Sequence, residues 1–258
     1  MFLLLPELIN LDNQVLDDID LKMKEINRLV IFSRTHKDDD LLDTYLNSMS
    51  NLRELLSIKN AQMEAQTEEE LVEYEANLKV TLDFIVNEII DQKSFESPYQ
   101  LFELIKLIAP DVHRQCPNRF RDKIVQVGAH VCPEPALLNG LIENLFYNLS
   151  VIKNPVIKAV YLHHELIRIH PFSDGNGRLS RMAKNWILMF DLYPPIFISD
   201  VRERKEYINA LKTSFLSLDK DPFSFSEATR NFFDQEIKRL SLNTNLVYEK
   251  VFKMGIVN

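Results

Sequence analysis

The chain has 258 residues, two cysteines and a formal net charge of −8. The acidic balance argues against a nucleic-acid partner, whose phosphates need a basic footprint, although a few local arginines suffice for a single nucleotide. With 46% apolar and 26% charged residues it has the makings of an ordinary soluble protein, large enough for one larger domain or two small ones. Cys116 and Cys132 make neither a disulfide framework nor a zinc site. No stretch approaches the ~18 apolar residues of a membrane span, and Met1-Phe-Leu-Leu-Leu-Pro6 is too short for the apolar part of a signal peptide. No membrane association and a cytoplasmic location are therefore expected.

Glycine is scarce and apolar residues recur at three and four, which predicts helices almost throughout. Residues 13 to 33 read as one amphipathic helix with Leu16, Ile19, Met23, Ile26 and Val30 on a face. A polar run, His36-Lys-Asp-Asp-Asp40, separates it from a second helix over about 41–66. Thr67 followed by Glu68-Glu69-Glu70 is a capping signal that opens a third, near 71–92. A connector at 94–98 leads to a helix over 99–108. The texture then changes. Cys116 to Asp122 reads as a turn, and Lys123 to Val131 is the one β-rich stretch, with Gly128-Ala-His130 placed to fold it into a hairpin. Helices resume over 136–153 and from Pro155 at the first helical position to His170, where Pro171 stops the helix. Three more follow over 178–190, 201–216 and 225–240. Residues 241–258 are weakly patterned and expected to be peripheral. The whole reads as all-α with a short β-hairpin, divided into an N-terminal helical region (1–93), a catalytic region (94–240) and a tail (241–258). Phe223, Phe225, Phe232 and Phe233 are expected in the core, and His163 and His164 as packing and surface residues.

The most informative stretch is His170-Pro-Phe-Ser-Asp-Gly-Asn-Gly-Arg-Leu-Ser-Arg181, which holds two of the chain's five glycines. A helix ending at His170 and another starting near Asn176 would leave unpaired N–H groups and a positive dipole end facing the loop. Gly175 and Gly177 would let those amides meet a ligand without obstruction, forming an anion nest suited to a di- or triphosphate. Arg178 and Arg181 share a helical face and add cations for phosphate oxygens. Asp174 among phosphates calls for a bridging cation, and Mg²⁺ prefers that ligand mixture. His170, outside the nest, has the chemistry to take a proton from an attacking hydroxyl. Phe172 is expected to plug the loop into the core.

This string resembles the Fic-family motif His-x-Phe-x-(Asp/Glu)-Gly-Asn-Gly-Arg-x-x-Arg at all eight specified positions. Flanking segments are similar too. Pro117-Asn-Arg-Phe-Arg121 resembles a Pro-Gly-x-(Phe/Tyr)-Arg segment with Asn118 in place of glycine. The hairpin over Ile124 to Val131 matches the position of a target-docking flap. Arg204-Lys-Glu-Tyr207-Ile208 resembles the segment lining the adenine side, with Ile208 at a usual tyrosine. The resemblance implies transfer of AMP from ATP to a Ser, Thr or Tyr hydroxyl of a protein. It makes His170 the general base and Asp174 the Mg²⁺ ligand. Gly175, Asn176, Gly177, Arg178, Arg181 and Tyr207 become nucleotide contacts. Gly177 stands where the phosphate-transferring Doc branch carries lysine, which favours AMP transfer. Alternatives are removal of AMP, transfer of another phosphate-containing group, and a non-catalytic nucleotide-dependent binding module.

Many members of that family are self-inhibited by a glutamate in (Ser/Thr)-x-x-x-Glu-(Gly/Asn) that pairs with the second motif arginine, here Arg181. Ser50-Asn-Leu-Arg-Glu54 has the spacing but is followed by Leu55. Leu55 to Asn60 offers a second place, with Lys59 where the acid would be. The expectation is that Glu54 serves, or that the brake is degenerate, or that a separate inhibitory partner supplies it. The resemblance also leaves room for a homo-oligomer.

Overall fold

Ten α-helices and one two-stranded hairpin form among the described residues, 1–36 and 39–255, of a computed structural model; of Asn13, Asp39 and residues 253–255 only the backbone is described. The helices are α1 (Asn13–His36), α2 (Asp39–Gln62), α3 (Glu68–Ile90), α4 (Tyr99–Ile108), α5 (Pro110–Gln115), α6 (Leu138–Val151), α7 (Pro155–Ile169), α8 (Asn176–Phe190), α9 (Val201–Lys220) and α10 (Glu227–Gly255). Strands β1 (Gln126–Val127) and β2 (His130–Val131) pair antiparallel, with Val127 opposite His130. Of the polar run between α1 and α2, Lys37 and Asp38 lie outside the described residues, as do 256–258 of the tail.

Local chemistry sets several boundaries. Thr67 Oγ1 accepts from the Glu70 amide while Glu70 reaches back to the Thr67 amide, a capping box at the head of α3. Asn154 Oδ1 accepts from Val156 and Ile157, with Pro155 at the first position of α7. Asp200 caps α9 in the same way. Gly128, at the first central position of the two-residue hairpin turn, takes φ +61, a left-handed value that glycine adopts without a Cβ clash. The short α5, opened by Pro110, was not expected from the sequence.

Helices α7 and α8 form the centre, joined by the motif loop. They pack against each other, with α6 and α10 against α7, and α2, α3 and α4 against α8. From Tyr161 to Ile169 every residue of α7 is buried, polar ones included. The Glu165 carboxylate accepts from Arg168 at 2.9 Å, His164 Nδ1 lies 2.8 Å from Glu165, and its Nε2 lies 2.8 Å from Ser214 Oγ. His164 is thus a core residue, not a surface one, because its ring is satisfied on both sides by buried partners.

Two further expectations are corrected. The segment from 241 is not peripheral through its described length. It continues α10, and Val247 and Val251 are fully buried. Asn243 donates to the Pro195 carbonyl at 2.7 Å, and Tyr248 donates to Glu25 on α1 at 2.8 Å. Buried Asn243 and Thr244 interrupt the apolar stripe, so its periodicity is hidden in the sequence. Phe223 is exposed at the surface against Phe2, whereas Phe232 and Phe233 are core and Phe225 is half-buried.

Glu236 on α10 is fully buried between Lys184 of α8 and Arg239. Burial alone would raise its pKa, but the two cations bring it down to about 2. A carboxylate held that low stabilises the fold fully above its ordinary pKa, and the contribution drains away as pH falls toward 2. Glu236→Gln leaves buried Lys184 without its carboxylate and Arg239 with only the longer pair to Glu203 at 4.0 Å, and is expected to destabilise by about 3–5 kcal/mol, read from denaturant midpoints at pH 7. The gap between wild type and variant should narrow as pH falls below 4.5.

Candidate active site

The motif loop is built by two left-handed residues. His170 ends α7 at φ +53, ψ +61, its amide bonded to the Leu166 carbonyl. Gly175 begins α8 at φ +78, and a Cβ there would press on Ile105 and Ala109 at 3.0 and 3.1 Å. Position 175 therefore needs glycine both for its conformation and for its packing against α4. Among the described residues no side chain caps the first amides of α8, so they are left for a ligand. Phe172 is buried against Phe102 and Phe120, as expected.

Asn176 behaves differently from the expectation that it contacts phosphate. Its side chain turns inward, accepting from the Phe172 amide at 2.9 Å and donating to the Phe172 carbonyl at 2.8 Å. Both ends of the amide are used to close the loop, so only its backbone N–H is left for a ligand.

A cavity of about 320 Å³ opens beside the loop. His170, Asp174, Gly177 and Arg181 line one side, Tyr207, Ile208 and Leu211 of α9 another, and Val127 and Gly128 of the hairpin overhang it. His170 Nδ1 faces the Ile167 carbonyl at 3.3 Å. A carbonyl only accepts, so Nδ1 carries the proton and Nε2 keeps its lone pair. Burial, assisted by the Arg121 cation, lowers the pKa of His170 below its ordinary 6.5 against the opposing effects of the Ile167 carbonyl, Glu64 and Asp174. The ring is neutral at pH 7.

Both motif arginines are buried, and the acid that answers them is Glu64. Arg181 Nη2 donates to Glu64 Oε1 at 2.7 Å and Arg178 Nε to Oε2 at 3.3 Å. Asn60 accepts from Arg181 Nε. Burial tends to raise the pKa of Glu64, but Arg181 and Arg178 hold it below the carboxylate range. A Cβ placed on Gly177 would overlap the Glu64 carboxylate, so Glu64 sits directly on the first turn of α8. Glu54 does not reach the loop. It is exposed in a groove between α2 and α3, beside Arg53 and Glu75. Asn60-Ala-Gln-Met-Glu64-Ala65 keeps the spacing of the family's inhibitory segment but departs from it at the first and last positions. That departure is why sequence reasoning passed it over.

Three other residues were missed. Tyr74 of α3 lies under the Arg178 guanidinium, 3.7 Å from ring centroid to Cζ, a cation–π contact that fixes its plane. Arg204 and Lys212 of α9 line the cavity, and Arg204 Nε is buried without a hydrogen-bond partner among the described residues. Tyr207 is buried as well as lining the cavity, its hydroxyl 3.0 Å from His163 Nε2. Asp174 is exposed and paired with Arg178 at 3.2 Å. Cys132, beside the hairpin, has a thiol pushed up to about 11 by burial, which leaves it unreactive.

Residues 95–188 match the Fic/DOC family. Over that segment the chain is similar to a Fic domain. Half of it is 33% identical over 134 residues to a protein named Protein adenylyltransferase Fic from Culex quinquefasciatus, and 49% of it is 36% identical over 131 residues to the protein of that name from Drosophila persimilis. These matches span only 27% and 26% of the relatives' own lengths. Among solved structures, a Fic-domain-containing signaling protein from Bacteroides thetaiotaomicron superposes with a TM-score of 0.64 at 19% identity, covering 83% of this chain and 97% of that one. Fic-1 from C. elegans gives 0.60 at 18% identity, covering 94% and 84%. The Fic fold therefore extends over most of the chain, N-terminal helices included.

Asn176→Ala would remove both loop-closing bonds and leave the Phe172 amide and carbonyl buried without those partners. The expected loss is about 1–3 kcal/mol, measured as a lower denaturant midpoint.

Proposed function

We propose that this protein is a protein adenylyltransferase that moves AMP from ATP to the hydroxyl of a Ser, Thr or Tyr on a target protein. The observation that carries this reading is the placement, on one cavity, of a neutral His170 with a free Nε2 and the uncapped N-terminus of α8 with Arg181, while Arg178 stands behind it on the same Glu64 carboxylate. In the transfer, the target oxygen forms a bond to the α-phosphorus as the bond to the β-bridging oxygen breaks. Pyrophosphate leaves, and the hydroxyl proton passes to His170 Nε2. The N–H groups of Asn176 to Arg178 and the guanidinium groups of Arg178 and Arg181 receive the phosphate charge.

Among the described residues no three His, Cys, Asp or Glu side chains gather as a metal cluster. That suits Mg²⁺ bound mainly through phosphates and water, with Asp174 as its one carboxylate. The ion would neutralise phosphate charge when bound. Tyr207, Ile208 and Leu211 offer the apolar wall on which a base would lie. The hairpin overhanging the cavity presents strand edges on which an extended target segment can pair. Among the described residues no helix is long and apolar enough to cross a membrane, and both free cysteines suit a reducing cytoplasm.

Glu64 occupies the place on Arg181 and Arg178 that the outer phosphates would take, so the chain holds its own inhibitory acid and needs no separate partner to supply one. The same carboxylate beside the cavity favours a second reading, removal of AMP, in which Glu64 would direct water at a modified hydroxyl.

The test is labelling with α-³²P-ATP and Mg²⁺. His170→Ala should lose label about 10²–10⁴-fold while still binding nucleotide. Glu64→Gly should raise labelling by about tenfold or more, in proportion to the ion pairs a triphosphate no longer has to displace. Label from γ-³²P-ATP alone would overturn AMP transfer in favour of phosphate transfer, and release of AMP from a labelled target by wild type but not Glu64→Gly would favour the second reading. The acid limb of the Glu64→Gly pH profile should fall below pH 6.5, since His170 must be unprotonated and its pKa is lowered.

A further inference from the structure

We infer that Arg121 is a positioning residue that sets the catalytic histidine and the target-docking hairpin in one register; the inference rests on the roles proposed above for His170 and the hairpin. Arg121 is buried, and no carboxylate pairs with it among the described residues. Its guanidinium instead donates to four backbone carbonyls. Nε reaches His170 O at 2.7 Å and Nη2 reaches Ile169 O at 3.3 Å. Nη1 reaches Lys123 O at 2.6 Å, and Nη2 also reaches Pro133 O at 2.7 Å. Two of these carbonyls close α7, where a helix leaves acceptors unpaired and its dipole favours a cation. The other two stand on either side of the hairpin, just before β1 and just after β2. The Arg121 amide adds a fifth bond, to the Pro171 carbonyl at 2.9 Å.

One planar fork thus ties both stems of the hairpin to the residue whose side chain faces the cavity. His170 sits in a left-handed conformation that costs a non-glycine residue roughly 1–2 kcal/mol, and the bond to its carbonyl holds it there. Phe120, next in sequence, anchors the same segment against Phe102 and Phe172, with centroids 5.0 and 5.6 Å apart. A lysine has one charged nitrogen and no fork, so it cannot span four carbonyls on two segments. The charged groups acting on His170 are Arg121, Glu64 and Asp174. Arg121 is the one cation among them, so removing its charge has a sign that can be read.

The experiment compares Arg121→Lys, Arg121→Gln and wild type in a Glu64→Gly background, using the full chain. Thermal melts first establish that each is folded. Labelling of a protein target or of the chain itself should fall about 10²-fold in kcat for Arg121→Lys, the scale expected of a misplaced catalytic group. KM for ATP should stay within about threefold, because the α8 amides and the motif arginines are untouched. In Arg121→Gln the imidazole of His170, followed by NMR through its own titration, should gain protons at higher pH than in wild type. That readout needs no activity, so it separates failure of this inference from failure of the transferase reading. Should the variants unfold, Arg121→Ala supplemented with methylguanidinium should regain labelling where methylammonium does not. Folded variants with kcat within twofold of wild type and an unmoved His170 titration would overturn the inference, as would equal rescue by both cations. A parallel loss in kcat and in ATP binding would assign Arg121 a purely structural role.

Discussion

Two guanidinium groups buried at the N-terminus of a helix demand a negative partner. The first turn of α8 already carries positive potential from its unpaired amides, and Arg178 and Arg181 add two full charges with almost no access to water. An isolated chain satisfies that demand with Glu64, and a triphosphate would satisfy it with its outer oxygens. Asp174 joins Glu64 on Arg178 from the exposed side, and the other near neighbours bring no further charge. Asn176 folds inward instead of offering an oxygen, Gly175 removes a side chain, and Tyr74 covers the guanidinium of Arg178 with a neutral face.

The His170 side, which supplies the base in the proposed transfer, is built on the opposite electrostatic logic. His170 must not carry charge, and it is kept neutral by partial burial and by the nearby Arg121. Arg121 draws its own stabilisation from carbonyls instead of carboxylates, so it lends positive potential to the base without bringing a compensating anion close to it. One helix–loop–helix unit thus holds a neutral base at one end and a strongly cationic cradle at the other. The network of His164, Glu165 and Arg168 stiffens the helix that leads to the base.

The fold and the motif loop were largely legible in the sequence because both rest on local signals. Helical spacing, the Thr67 and Asn154 caps and the Pro171 stop each act within a few residues. The dodecapeptide from His170 to Arg181 packs most of its chemistry into one turn between helices. What escaped was non-local. Glu64 meets Arg178 and Arg181 across more than a hundred residues of chain, and the segment around it keeps only a spacing, with Asn60 and Ala65 at the two positions that would have marked it. The inward turn of Asn176 depends on where the Phe172 backbone lies once Phe172 is buried. The last third of α10 looked like a tail because Asn243 and Thr244 are buried through contacts that residues far upstream supply.

The position of Glu64 in the chain has a mechanical consequence. It stands just beyond the end of α2, in the turn that leads to Thr67, with its amide bonded to Ala61. Helix α2 itself is held by α1, α3 and α10, so the body of the N-terminal region is fixed to the core while the acid rides on a few residues of connector. Clearing the cradle therefore calls for a side-chain swing or a slight unwinding of one turn, with no domain displacement. Such motions run in nanoseconds to microseconds. With the function proposed, control of this site becomes a competition between two anions for the same pair of cations, set by concentration and affinity, and not the opening of a closed door.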